Sequence, residues 1–266
     1  FFFLLFFFYA FVSRQLKQSQ ISAMNTLNSS FQTQVDSAIR NLDAVSVNIN
    51  YSNQSKTILD NSFNLNISSN MLSAMSDLFI SLSGTELKAD QVNLYDFSGY
   101  VLEAGISTIV KKTDGSKDEW IEVARELEGK KVLTPPYCTR EYTKTATYDQ
   151  WFISLYRSFN NQYKRGVGVI ETAKQCKSVF KSIITYKKKN HEDAASIYVF
   201  DSNGDLIYPY DISQEYKAAL QPYYELTKGD DSRLTLSVLL TGKQSMQQRP
   251  YPLIPAIPIL QFSRNL

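Results

Sequence analysis

The sequence is poor in the residues that most site chemistry needs. It holds one histidine, His191, in 266 residues. That excludes metal sites built from several histidines of one chain, and it argues against a histidine-dependent triad. His191 lies in the polar stretch KKKNHED, which reads as an exposed linker. Cysteine is nearly as scarce, with only Cys138 and Cys176. Two cysteines make no disulfide scaffold, and their spacing fits no zinc motif. One bridge and two separate buried thiols are the readings left. Neither sign of charge dominates: Lys+Arg 28 against Asp+Glu 26 leaves a formal charge of +2. With no basic patch interleaved with aromatics, no nucleic-acid partner is expected. The run Lys187-Lys188-Lys189 reads as a solvated helix end. No nucleophile–base pair or phosphate loop is present, so the chain is read as no enzyme, with no cofactor.

An apolar run of the roughly 20 residues that span a bilayer is also missing. Phe1–Val12, FFFLLFFFYAFV, is uninterrupted but too short alone, and the chain has no initiator Met. The preferred reading is the end of a transmembrane helix that starts upstream. A signal-peptide core and a buried helix are the alternatives. Arg14 and Lys17 beside the run do not settle its orientation, because upstream charges count as well.

From Arg14 to about Asp60 there is neither proline nor glycine. Apolar residues recur at Met24, Leu27, Phe31, Val35, Ile39, Leu42, Val45 and Ile49, in steps of 3 or 4. That spacing predicts a long helix with a narrow seam, a stalk. The seam suits pairing with a second copy, giving a homodimer, or packing onto a following domain. A second helix is expected from Asn66 to about Leu82.

The most informative pattern occurs twice. Val92–Leu102 reads VNLYDFSGYVL and Ile197–Ile207 reads IYVFDSNGDLI, aligned without a gap. Asp96 matches Asp201 and Gly99 matches Gly204. Each copy predicts a strand, a tight turn and a second strand. The Asp carboxylate accepts backbone N–H groups ahead of it, and the Gly takes positive φ. Two related modules follow. Between the copies the expected elements are a helix over Asp118–Leu127 with Trp120, Val123 and Leu127 inward, and a loop at Thr134–Tyr137. Strands follow at Trp151–Phe159 and Gly166–Glu171, then a helix from Ala173 to about Lys187. The second hairpin, Ser196–Phe200 and Asp205–Tyr208, leads to a helix over about Ser213–Lys228 with a kink or break at Pro222. A strand at Arg233–Leu240 comes last. The tail then carries Pro250, Pro252, Pro255 and Pro258, which cannot sit in a central strand.

The expected fold class is therefore α+β: a stalk helix, then two modules with antiparallel sheets, the second incomplete. The expected division is 1–12 as the end of a membrane helix, 13–60 as the stalk and 61–190 as the membrane-distal module. Residues 191–249 are expected as the proximal module, and 250–266 as a proline-rich tail that is either an extended apolar segment or not the native continuation.

This order of elements resembles the double Cache (dCache) sensing region, built of two PAS-like modules. It looks most like the extracytoplasmic part of YesM-type sensor histidine kinases of Gram-positive bacteria. Val92–Leu102, Trp151–Phe159, Gly166–Glu171 and Ile197–Tyr208 carry the likeness. The resemblance implies a ligand in the membrane-distal module and a membrane-bound signalling parent. The chain itself shows no phospho-acceptor histidine motif or glycine-rich ATP lid. Family members that bind amino acids use a neighbouring Arg and Trp for the carboxylate and a later Asp for the amino group. Glu171 is the nearest candidate for that acidic role. Trp151 and Arg157 stand six residues apart on one strand, so alternation places them on one face. Ile153 and Leu155 between them mark that face as packed, and Phe152, Ser154 and Tyr156 share the other. The usual Arg-Trp order is absent, and a sugar or short peptide would not need it. The candidate ligand-binding residues are Trp151, Arg157, Glu171 and Tyr95, with Tyr95 also read as a core residue.

The function expected is extracytoplasmic ligand sensing by a membrane receptor, with an amino acid, sugar or short peptide as ligand. A histidine kinase is the first expectation for the output, ahead of a chemoreceptor or another dCache receptor. A membrane-anchored adhesion or cell-wall protein is the alternative class.

Overall fold

The long proline- and glycine-free stretch is helical except at Ser52. In the computed structural model, α1 runs from Phe2 to Tyr51 and α2 from Asn53 to Asp60. Ser52 makes the break. Its N–H donates to the carbonyl of Ile49 at 3.1 Å, and its Oγ accepts the N–H of Ser55 at 3.3 Å. It thus closes one helix and caps the next. The predicted seam is real: Phe31, Val35, Ile39, Leu42, Val45 and Ile49 are buried, and Met24 and Leu27 half-buried. The second helix, α3, spans Ser69–Ser83.

The structure describes residues 2–60, 69–84, 87–105, 108–139, 150–160, 166–190, 196–201, 203–225 and 237–241. His191, the start of the helix expected from Asn66 and the proline-rich tail lie outside them. The chain divides into two compact units, Ser37–Phe180 and Phe1–Asp36 with Lys181–Leu266.

The unit Ser37–Phe180 is built on a seven-stranded antiparallel sheet. Its elements are β1 (Gln91–Asp96), β2 (Tyr100–Gly105), β3 (Ile109–Lys112) and α4 (Asp118–Glu126). They continue with β4 (Lys131–Leu133), β5 (Tyr137–Thr139), β6 (Gln150–Asn160) and β7 (Gly166–Gln175). The strand order is β3-β2-β1-β7-β6-β4, and β5 also pairs with β6. The first and last long pairs thus meet at the centre, where β1 lies against β7. One face of the sheet receives α1: the Thr172 hydroxyl donates to the carbonyl of Leu42 at 3.2 Å. The other face receives α4. There Tyr95, Val101, Tyr156 and Val169 pack on Ile121 and Ala124. These two, rather than Trp120, Val123 and Leu127, are the deepest residues of α4; those three are half-buried at its flanks.

Strand β7 is longer than its sequence suggests. Thr172, Ala173 and Gln175 stay in the ladder, Ala173 between Gln91 and Ser154. Pairing on both sides overrides the local helical preference of this stretch. The helix expected from Ala173 therefore starts at Cys176, as α5 (Cys176–Val179) and then α6 (Lys181–Asn190). Cys138 is exposed and Cys176 buried.

β7 also comes unusually close to β1. A Cβ added at Gly168 would run into the carbonyl oxygen of Tyr95. Backbone cannot yield as a side-chain tip does, so Gly168→Ala is expected to lose about 2 kcal/mol or more of stability. Urea unfolding measures it; an unchanged midpoint would show that the strands are free to separate here.

The other unit contains β8 (Ser196–Phe200), β9 (Leu206–Tyr208), α7 (Gln214–Glu225) and β10 (Ser237–Thr241), with sheet order β10-β8-β9. Helix α7 passes through Pro222 to Glu225 without a break. Within this unit Phe31 of α1 meets Tyr186 of α6 edge-on, with ring centroids 5.5 Å apart. The Lys187–Lys189 run is exposed in the last turn of α6, as predicted.

The repeated turn is the same device in both units. Asp96 Oδ1 accepts the N–H groups of Ser98 and Tyr100 at 2.9 and 2.8 Å. Asp201 Oδ1 accepts those of Asn203 and Asp205 at 2.8 and 2.9 Å. Gly99 and Gly204 take φ values of 89° and 91°. Each copy lies under a helix: Tyr95 and Val101 pack on Ile121 and Ala124 of α4, and Phe200 and Leu206 cluster with Leu220 and Tyr224 of α7.

Candidate functional site

Alternation along β1 puts Gln91, Asn93 and Tyr95 on the face toward α4. The register then sets Glu103, Asn93, Glu171 and Tyr156 side by side across β2, β1, β7 and β6. A polar row thus crosses the inner face of the sheet. At its centre Glu171 is fully buried.

A buried carboxylate needs donors, and Glu171 has them from five residues. Its Oε2 accepts from Asn93 Nδ2 at 2.7 Å, from the Tyr95 hydroxyl at 2.6 Å and from Lys117 Nζ at 3.1 Å. Its Oε1 accepts from Ser154 Oγ at 2.6 Å, from the Tyr137 hydroxyl at 3.0 Å and from Lys117 Nζ at 3.3 Å. Ser154 and Tyr137 also touch each other at 2.7 Å. A carboxylate offers about four lone-pair positions, so the acceptor capacity of Glu171 is filled by the chain itself. Asn93 is held in turn, its Oδ1 accepting from Gln91 Nε2 at 3.1 Å.

The electrostatics follow from this geometry. Burial alone would raise the pKa of Glu171. The Lys117 charge and the hydroxyl and amide donors outweigh it, holding the carboxyl at about 2. Tyr156 shifts the other way. Burial first, and the Glu171 charge next, push its phenol well above the ordinary 10, so it stays protonated. Lys117 also stands 5.8 Å from the centre of the Tyr137 ring. Beside the cluster, between Tyr95, Val101 and residues 113–118, a space of only about 10 Å³ remains.

Arg157 lies on the opposite face and does other work. Its Nε donates to Ser46 Oγ at 3.1 Å, its Nη1 to the carbonyl of Gly129 and its Nη2 to Asp43. Lys131 pairs with the same Asp43. Arg157 thus clasps α1 to the turn after α4, beside an open groove of about 660 Å³. Trp151 is half-buried on the same face, opposite Cys138 in the ladder. Six strand residues, about 20 Å, separate it from Arg157. Of the four residues singled out in the sequence, Glu171 and Tyr95 therefore meet in one cluster. Arg157 and Trp151 stand apart from it and from each other.

Asn93, Lys117 and Tyr137 were not singled out. Asn93 has a legible signal, a polar residue two before Tyr95 on a buried strand. Lys117 and Tyr137 have none, since each stands next to or in a short element and reaches Glu171 only through the fold. Among the described residues no group of His, Cys, Asp and Glu is arranged to hold a metal ion.

No family model matches this chain, and no curated protein does. Solved structures do. The sensory domain of the Campylobacter jejuni chemoreceptor Tlp3 (CcmL) with isoleucine bound matches at TM-score 0.51 and 14% identity, over 81% of this chain and 82% of that one. A domain assigned to the sensory box/GGDEF family from Vibrio parahaemolyticus matches at TM-score 0.52 and 12% identity, over 74% of each chain. The extracellular domain of vpHK1S-Z8, described as a histidine kinase, matches at TM-score 0.50 and 11% identity, over 75% of this chain and 71% of that one. At such identities the likeness is one of fold. The α+β architecture, a long N-terminal helix with an antiparallel sheet, is shared with these sensory and extracellular domains.

Proposed function

We propose that this chain is the extracytoplasmic ligand-sensing region of a membrane-bound signal transduction receptor. The observation that carries the reading is a fully buried, ionised carboxylate at the centre of the inner face of a sensory-type sheet. A structural core gains little from such a group, because an apolar side chain in its place is often as stable or more so. A perturbed carboxylate ringed by hydroxyls, an amide and an ammonium fits recognition of a small polar molecule. Amino acids, sugars and short peptides are the classes to try. The chain acts as a sensor without catalysis of its own, and a two-component histidine kinase is the output proposed. Three similar domains belong, by their descriptions, to a chemoreceptor, a histidine kinase and a GGDEF-family protein. The gene beyond Leu266 therefore decides the output class.

The proposed anchor rests on the first turns of α1. Among the described residues no helix is long and apolar enough to cross a membrane. Yet Phe2, Phe3 and Tyr9 are 87%, 79% and 72% exposed, within a run of exposed aromatics. Such a run calls for apolar surroundings, and a bilayer supplies them where the run ends a spanning helix. The seam from Phe31 to Ile49 is buried. A homodimer through the stalk would therefore use α1 upstream of Phe31.

Thermal shift of the soluble region with amino acids, sugars and short peptides tests the sensor reading. A midpoint rise of several degrees with at least one of them is expected, following mass action. If a broad panel moves nothing while circular dichroism shows a folded protein, the unit is structural.

A further inference from the structure

The segment between β3 and α4 is fastened at both ends to carboxylates of the inner face. Lys111, on β3, pairs with Glu103 at 3.0 Å, and Glu103 is 2% exposed. Lys117, directly before α4, pairs with Glu171 at 3.1 Å. Glu103 and Glu171 are the two lateral neighbours of Asn93 in the sheet. Between the lysines the chain turns tightly. Asp114 Oδ1 accepts the N–H and the hydroxyl of Ser116 at 2.9 and 2.6 Å. The space beneath, about 10 Å³, has room for no more than one water. Residues 111–117 therefore form a closed strap, and its Lys117 is the cation that pairs with Glu171 among the described residues.

The strap continues into a rigid element. Helix α4 starts at Asp118 and ends at Glu126, about 13 Å further on. In the turn that follows, Glu128 takes a φ of 48° and the Gly129 carbonyl accepts Arg157. Arg157 also holds Asp43 and Ser46 of α1. One end of α4 thus carries the tethered ammonium, and the other is clasped to the long helix.

Resting on the sensor reading above, we infer that Lys117 is an internal occupant of Glu171, that a ligand's protonated amine displaces it, and that α4 carries the displacement through Gly129 and Arg157 to α1. Glu171 has no spare acceptor, so an outside cation binds only as the inner one leaves. Ligand and strap position are then two readings of one equilibrium. The element that moves is fixed to α1 by a discrete hydrogen-bonded clasp, which favours two arrangements over a continuum.

Chemical rescue tests this without the natural ligand. Lys117→Met removes the ammonium and keeps most of the stem, and methylammonium chloride supplies it in trans. At ten times its dissociation constant methylammonium should shift the folding equilibrium of the variant about tenfold. Tetramethylammonium, which has no N–H, and sodium chloride should not, and the wild type should respond to none. Hydrogen exchange gives the second readout. In the variant, exchange over residues 43–49 and 127–131 should rise about tenfold more than in β7, and methylammonium should restore it. Lys117→Gln, which keeps a donor toward Glu171, carries the same measurements if the Met variant does not fold. Absence of rescue in both variants overturns the internal occupant. Rescue that leaves exchange over 43–49 unmoved overturns the route to α1. A ligand panel that fails while methylammonium rescues both readouts counts against the sensor reading and leaves the strap standing.

Discussion

Replacing Lys117 by Met should invert the pH dependence of stability of the Ser37–Phe180 unit. In the wild type Glu171 titrates at about 2 when folded, against an ordinary value of 4.5. Its folded pKa is depressed, so the stability it contributes is full above 4.5 and is lost as pH falls from there toward 2. The size is roughly 3 kcal/mol, at about 1.4 kcal/mol per unit. Without Lys117 the main opposing charge is gone and burial dominates. The folded pKa of Glu171 then rises above the unfolded one, and the sign reverses. Its effect is most favourable below 4.5, and stability is lost as pH rises through the new folded pKa. At pH 7 the variant should be about 3–5 kcal/mol less stable, the range for leaving one partner of a buried pair uncompensated. Ordinary domains hold about 5–15 kcal/mol, so a folded variant is expected at acid pH. Urea titrations of both proteins between pH 2 and 8 measure the two slopes. Parallel curves would mean that Lys117 is not what keeps Glu171 ionised.

The same measurements separate Glu171 from an ordinary strand residue. Glu171→Gln removes the titrating group and keeps the shape, so the wild-type slope between pH 4.5 and 2 should flatten. A flat slope in the wild type itself would contradict the ionised, donor-filled carboxylate on which the functional reading rests.

Local periodicity made much of this architecture legible. The α1 seam could be read because its buried positions recur every 3 or 4 residues over many turns. The paired Asp–Gly turns could be read because each closes within five residues, through hydrogen bonds to Asp96 and Asp201. Strands β3, β4 and β5 have 4, 3 and 3 residues, too few to display alternation. They exist because they pair with β2 and β6. The site divides along the same line. Glu171 and Tyr95 lie on well-formed strands and were singled out. Lys117 reaches Glu171 across 54 residues and Tyr137 across 34, from short connecting segments without a pattern of their own. The face of Arg157 was legible from alternation. Its partner on α1, 114 residues away, was not.

Arg157 supplies the second large effect. Arg157→Met should lower stability by about 2–4 kcal/mol with no ligand present. It removes charge-assisted bonds to Asp43, to the carbonyl of Gly129 and to the buried Ser46. Asp43 keeps Lys131 as a partner, which limits the loss. Arg157→Lys should recover little of it, since a single ammonium cannot serve three acceptors arranged around a planar guanidinium. A double-mutant cycle between Arg157→Met and Ser46→Ala should give a coupling of about 0.5–3 kcal/mol. That coupling separates a clasp from a ligand contact. A residue held ready for a ligand would lose affinity on substitution and show no coupling to α1 in the empty protein. Zero coupling with unchanged stability would therefore remove Arg157 from the link between α4 and α1, and with it the route by which the strap acts on the long helix.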